Sequence, residues 1–143
     1  MSEYLFVYGS LKRGYGGAET TALLAQVIWL GPAQVRGRLY DFSNYCGAIL
    51  DPSGDQTIKG ELLEIADGST LGKLDQYENY EPENSDSLFV RRATTVTLAN
   101  GSMREAWIYV YNLDPGDAPV IKSGEYAKHG QGELEVSRRN QRL

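Results

Sequence analysis

Residues 88–98 and 102–112 are two β-rich runs joined at Asn100-Gly101, and few folds accommodate them other than as a hairpin. Asn-Gly suits the positive φ angles of a two-residue type I′ turn, so an antiparallel hairpin is expected here. Side chains alternate along a strand, which sends Trp107, Tyr109 and Tyr111 to one face of the second run and Ala106, Ile108 and Val110 to the other. Neither face is polar, so this strand is expected in the middle of a sheet and not at its edge. The same alternation sends Arg91 and Arg92 to opposite faces, so at most one of them reaches a given pocket.

Further strands are expected at 4–8, 33–40 and 57–65. The first ends in Gly9-Ser10, and the other two are separated by a turn-rich segment with Asn44, Gly47, Asp51-Pro52 and Ser53-Gly54. Two helices are predicted. Residues 20–30 carry Leu23, Leu24, Val27 and Ile28 at helical spacing before Gly31-Pro32, and 69–79 carry Leu71 and Leu74 behind Asp67 or Ser69 as N-cap. An acidic loop with Glu81, Pro82, Glu83 and Asp86 follows. Strands outnumber helices without regular βαβ alternation, which gives a mixed α+β architecture. The expected division is one domain over 1–130 and a polar C-terminal tail over 131–143, because the pattern weakens beyond Pro119 and the last residues are charged.

Composition narrows the function. A chain of 143 residues with 41% hydrophobic content buries a core without disulfides or a structural metal. The formal net charge of -5 disfavours a nucleic-acid partner, since polyanions are held by Lys and Arg. Cys46 is the lone cysteine and His129 the lone histidine, so no internal disulfide or Cys/His zinc site can be assembled, and no metal is expected. The N-terminus lacks the pattern of a signal peptide and no apolar run is long enough to span a bilayer, so a cytoplasmic location without a membrane partner is expected.

Two segments carry chemistry-bearing residues. In Val7-Tyr8-Gly9-Ser10-Leu11 a strand runs into a turn of small residues, whose backbone N–H groups can hold a carboxylate or an oxyanion. The P-loop pattern is absent, and a plain structural turn is the competing reading. In the second helix, Glu78 falls on the stripe of Leu71 and Leu74, which directs a carboxylate toward the core. Desolvation there raises a carboxyl pKa and suits it to general acid–base work. The alternative is a buried carboxylate tied to Arg91, Arg92 or a backbone N–H. Asp75 lies near the same stripe, but the pattern leaves open whether it faces inward, faces solvent or caps a neighbour.

Taken together, Tyr8-Gly9-Ser10-Leu11, Leu74-Asp75-Gln76-Tyr77-Glu78-Asn79-Tyr80, Phe89-Val90-Arg91-Arg92, Ala106-Trp107-Ile108-Tyr109-Val110-Tyr111 and Ile121-Lys122-Ser123-Gly124-Glu125-Tyr126 resemble the γ-glutamylcyclotransferase-like family, with its AIG2-like members. The resemblance runs from residue 4 to about 126. It implies a small mixed, barrel-like β-sheet with packed helices, and a pocket between the Tyr8 to Leu11 turn and the helix of Glu78. It also implies that Tyr8, Gly9, Ser10 and Leu11 hold a γ-glutamyl group and that Glu78 is the catalytic acid/base. Tyr109, ahead of Tyr111, is the strand residue expected to line that pocket, although aromatic strand faces commonly serve as core.

The activity so implied is attack of the substrate's α-amino group on its own γ-carbonyl, giving 5-oxoproline and a released amine or amino acid. No cofactor is needed. The expected partner is a small γ-glutamyl substrate. The competing reading is a non-catalytic module that uses the same pocket to hold a small molecule or a peptide.

Overall fold

The computed structural model describes residues 3–9, 27–43, 45–66, 68–77 and 88–126. In these segments lie β1 (Glu3–Val7), β2 (Ile28–Asp41), β3 (Cys46–Leu50), β4 (Thr57–Ile65), α1 (Gly68–Tyr77), β5 (Phe89–Leu98) and β6 (Met103–Tyr111). The hairpin forms as expected, with β5 and β6 antiparallel from Phe89↔Tyr111 to Thr97↔Met103. Its turn differs. Gly101 has φ 89° but Asn100 has no positive φ. Leu98 accepts from the Gly101 N–H at 2.9 Å and donates to the Ser102 carbonyl at 2.8 Å, which makes a three-residue loop ending in a glycine and not a two-residue type I′ turn. Asn100 serves through its side chain instead, since Oδ1 accepts from the N–H and the hydroxyl of Ser102 at 2.9 and 2.6 Å.

The hairpin is one wall of a closed sheet. Strand order runs β2-β4-β1-β6-β5, and β5 returns to β2 through Ala33↔Leu98 and Gln34↔Thr97. Five strands thus form a barrel-like sheet, with β3 added to β2 over Gly37↔Leu50 to Asp41↔Cys46. All neighbours are antiparallel except β1 and β6, whose register is Leu5↔Trp107 and Phe6↔Ile108. The expected mixed sheet is therefore present, and β6 sits between β1 and β5, as its two apolar faces require. Leu5, Phe6, Leu62, Leu63, Phe89 and Ile108 are fully buried, and because neighbours such as Leu5 and Phe6 point to opposite faces, the sheet is covered on both sides there. One helix is described: α1 lays Leu71 and Leu74 on the core while Gly72 and Lys73 face solvent.

Two expectations are corrected. Residues 28–30, assigned to the end of a helix over 20–30, are the start of β2, where Ile28 and Trp29 pair with Glu64 and Leu63. Gly31-Pro32 does not stop a helix. It sits at a register shift between Trp29 and Gly31, with Gly31 at φ 114°, and such an irregularity is where a strand tolerates glycine followed by proline. The remainder of that expected helix, 20–26, lies outside the described residues. The segment between 40 and 57 is not only turns, since it holds β3. Gly47 reads as a turn residue in sequence but serves close packing, because a Cβ there would come within 2.9 Å of both Phe42 and Tyr111.

The chain beyond Pro119 is also better fixed than its pattern suggests. Val120 bridges Tyr40, the Ile121 N–H donates to Leu39 at 2.7 Å, and the Lys59 N–H donates to Gly124 at 2.7 Å. The acidic loop, residues 131–143 and the boundary at 130 lie outside the described residues.

Candidate active site

Each half of the expected site is represented by described residues. On the first side, β1 delivers Tyr8 and Gly9 into buried positions just past its end. Tyr8 is fully buried, and its hydroxyl donates to the Tyr109 carbonyl at 2.6 Å while accepting the Ala48 N–H at 3.2 Å. One phenol thereby ties the end of β1 to both β6 and β3. Ser10 and Leu11, the other members of the turn, lie outside the described residues.

On the second side, Glu78 lies outside the described residues, whereas Asp75, one helical turn earlier in the sequence, is described and buried. The Tyr109 hydroxyl donates to Asp75 Oδ1 at 2.6 Å. Arg91 supplies charge compensation: Nη2 donates to Oδ2 at 3.2 Å, and Nε lies 3.1 Å from Oδ1 without the alignment of a hydrogen bond. The contact through Nε is Coulombic, so the directional bond is the one from Nη2. Beneath this pair the guanidinium carbon stands 4.6 Å from the Trp107 ring centroid, within cation–π range. Trp107 in turn donates Nε1–H to Glu3 Oε1 at 2.6 Å.

This arrangement shows which of the two arginines meets the helix: Arg91 does, and Arg92 is exposed. Asp75 is the polar residue whose direction the sequence left open. The signal for it was its spacing, because Leu71, Leu74 and Asp75 occupy i, i+3 and i+4 and share a face. Tyr109, expected along the pocket, has no solvent-exposed surface and touches both sides: its carbonyl holds Tyr8 and its hydroxyl holds Asp75. Tyr111 instead stacks on Phe42 at 4.4 Å between centroids, in an aromatic group with Tyr45 and Phe89.

Two open concavities, of about 430 and 710 Å³, run along β2 and β5, and neither is lined by Tyr8, Gly9, Asp75 or Tyr109. Among the described residues no cluster of His, Cys, Asp and Glu is suited to a metal ion, and no helix is long and apolar enough to cross a membrane.

Comparison with known proteins bears on this geometry. The family model described as gamma-glutamyl cyclotransferase, AIG2-like, matches residues 5–128. A Methanocaldococcus jannaschii protein named "Putative gamma-glutamylcyclotransferase" is 27% identical over 124 residues, which cover 87% of this chain and 95% of that protein. The crystal structure of an AIG2-like protein from Mus musculus superposes with a TM-score of 0.73 at 21% identity, over 93% of each chain. That of YkqA from Bacillus subtilis superposes with a TM-score of 0.67 at 24% identity; 96% of this chain matches 43% of that longer one. At these identities the two superpositions speak for the shared fold alone.

Proposed function

Because this chain belongs to the γ-glutamyl cyclotransferase, AIG2-like family, we propose that it is an enzyme that cyclises a γ-glutamyl group to 5-oxoproline and releases an amine or amino acid. The observation that carries this reading is the span of the family match. It includes both the Tyr8, Gly9, Ser10 and Leu11 turn and Glu78, within one continuous domain-length segment.

The substrate's α-amino nitrogen attacks the γ-carbonyl carbon, a ring C–N bond forms, and the original amide C–N bond breaks. The proton lost by the attacking amine goes to Glu78 and then to the leaving nitrogen, so atoms balance without water, oxidant or cofactor. Glu78 is the acid/base in both steps. Backbone N–H groups of Gly9, Ser10 and Leu11 would hold the substrate's α-carboxylate or the developing oxyanion. The Tyr8 hydroxyl is engaged with Tyr109 and Ala48, so Tyr8 would serve the γ-glutamyl group by holding the start of the turn. Folding the flexible substrate so that amine and carbonyl meet is the main source of acceleration, worth on the order of 7–11 kcal/mol at the favourable limit.

The test is mass-spectrometric detection of 5-oxoproline after incubating wild type and Glu78→Gln with γ-glutamyl amines, γ-glutamyl amino acids and glutathione. Release by wild type, lost in the variant, is the expected result and identifies the leaving-group class. Folded wild-type protein that releases nothing from any of them would overturn the enzyme reading in favour of a binding module.

A further inference from the structure

We propose that Tyr109 is a positioning residue that sets both halves of the site through two different atoms, its carbonyl oxygen fixing the substrate-holding turn and its hydroxyl fixing the helix that leads to Glu78. The inference rests on the reading of the turn and of Glu78 given above. The two hydrogen bonds it is argued from join described residues, Tyr8 to Tyr109 and Tyr109 to Asp75.

Tyr109 is fully buried on β6, and β6 is hydrogen-bonded on one edge to β1 and on the other to β5. A fully buried residue on a strand paired along both edges is a firm reference point. Tyr8, the last residue before Gly9 and the turn, is held to the Tyr109 carbonyl at 2.6 Å. Asp75, three residues before Glu78 in the sequence, is held to the Tyr109 hydroxyl at 2.6 Å. Leu71 and Leu74 give α1 an apolar seat, but apolar contacts resist sliding weakly because they have no direction. The short bond to Asp75, backed by Arg91, supplies the direction and so fixes the helix along and about its axis.

The two bonds are chemically separable. Tyr109→Phe removes the hydroxyl and leaves the carbonyl that holds Tyr8. Tyr8→Phe removes the bond to that carbonyl, together with the one from the Ala48 N–H, and leaves the Tyr109 hydroxyl on Asp75. On the reading of Glu78 as the acid/base that follows α1 in the sequence, loosening the helix acts on the proton-transfer steps, so Tyr109→Phe is expected to lower kcat roughly tenfold to a hundredfold with KM within about twofold. Tyr8→Phe loosens the turn and, with its N–H groups on the substrate's α-carboxylate, is expected to raise KM by roughly tenfold with a smaller effect on kcat. A merely structural role would lower thermal stability in both variants and leave kcat per folded molecule and KM unchanged.

The experiment combines steady-state kinetics of 5-oxoproline release with hydrogen exchange followed by mass spectrometry on wild type, Tyr109→Phe and Tyr8→Phe. Faster exchange confined to α1 in Tyr109→Phe, together with the opposed kcat and KM effects, is the expected result. Unchanged α1 exchange, exchange accelerated evenly across the barrel, or identical kinetic changes in the two variants would overturn the proposal. If wild type releases no 5-oxoproline, the enzyme reading fails by itself and the exchange pattern alone decides whether Tyr109 anchors the helix. Should Tyr109→Phe not fold, Asp75→Ala breaks the same bond from the helix side and takes its place in both measurements.

Discussion

Arg91 and Asp75 face each other across the gap between β5 and α1 at 3.1 Å, with side chains only 19% and 12% exposed. A carboxylate so withdrawn from water needs its compensating charge, and the Tyr109 hydroxyl alone supplies a dipole and no charge. Arg91→Met keeps much of the side chain's bulk and removes the cation. It is expected to destabilise the fold by about 2 kcal/mol, somewhat below the range for fully buried pairs because some water reaches both groups. The double variant Arg91→Met/Asp75→Asn should lose less than the sum of the single losses, since no charge is then left uncompensated. Urea unfolding with an unchanged m-value measures both, and strict additivity would show that the pair is not energetically coupled.

Gly124 and Gly101 both adopt positive φ, at 73° and 89°, but their surroundings differ. A Cβ on Gly124 would run into the carbonyl oxygen of Thr57, which is backbone within β4, whereas nothing stands within 4 Å of a Cβ on Gly101. Gly101→Ala is therefore expected to cost about 1–2 kcal/mol, the penalty of a left-handed conformation. Gly124→Ala must also displace the chain from β4 and break the Lys59 to Gly124 bond, for a total of roughly 3 kcal/mol or more. Equal shifts in thermal midpoint for the two variants would contradict the close approach.

Gly47 offers a third glycine with a different cause. Its φ is not positive, and what it avoids is a clash with the Phe42 ring and the Tyr111 Cβ, both 2.9 Å from where a methyl group would stand. Gly47→Ala should cost about 1–3 kcal/mol through overpacking and should perturb the near-ultraviolet circular dichroism, because Phe42 and Tyr111 are in direct ring contact. Phe42→Leu/Gly47→Ala, which returns space to the site, is expected to recover part of the loss.

What the sequence disclosed follows from which interactions are local. The hairpin of β5 and β6, the strand Thr57–Ile65 and the helix carrying Leu71 and Leu74 each have their signal inside one short window, and each is found. The turn type escaped because Asn-Gly fits two loop geometries, and only the positions of the Leu98 and Ser102 bonds separate them. Residues 28–30 read as helix because Val27 and Ile28 fit a helical stripe as well as a strand. Pairing with Glu64 and Leu63 on β4, more than thirty residues away, decides for the strand at Ile28. Barrel closure through Ala33↔Leu98 is likewise a meeting of distant segments, and only the family resemblance implied it.

The site was legible in the same uneven way. Tyr8 and Tyr109 were singled out, but not the bond between them, because residues 101 positions apart leave no joint mark in a single sequence. Asp75 lies near the apolar stripe, and in the sequence an inward, a solvent-facing and a capping placement all fit it. Its partner Arg91 resolves the choice, and alternation along β5 explains why Arg91 meets the helix while Arg92 is exposed.

Tyr111 makes the stability of the fold pH-dependent at the alkaline end. Burial raises its phenol pKa above the ordinary value near 10, assisted by the interaction with Tyr45 and by the nearby Asp114 carboxylate. The neutral phenol is thus favoured in the folded state, so the contribution is fully present below the unfolded-state pKa. It is lost as pH rises from there through the folded-state value, because the unfolded chain gives up its proton first. Tyr111→Phe cannot ionise, so the stability difference between wild type and variant should be flat below about pH 9 and should move in the variant's favour above about pH 10. Unfolding curves at intervals across that window test this, with the remaining tyrosines common to both proteins. A difference that stays constant to about pH 11 would mean that Tyr111 titrates alike folded and unfolded, and that the aromatic group around Phe42 does not shield its hydroxyl.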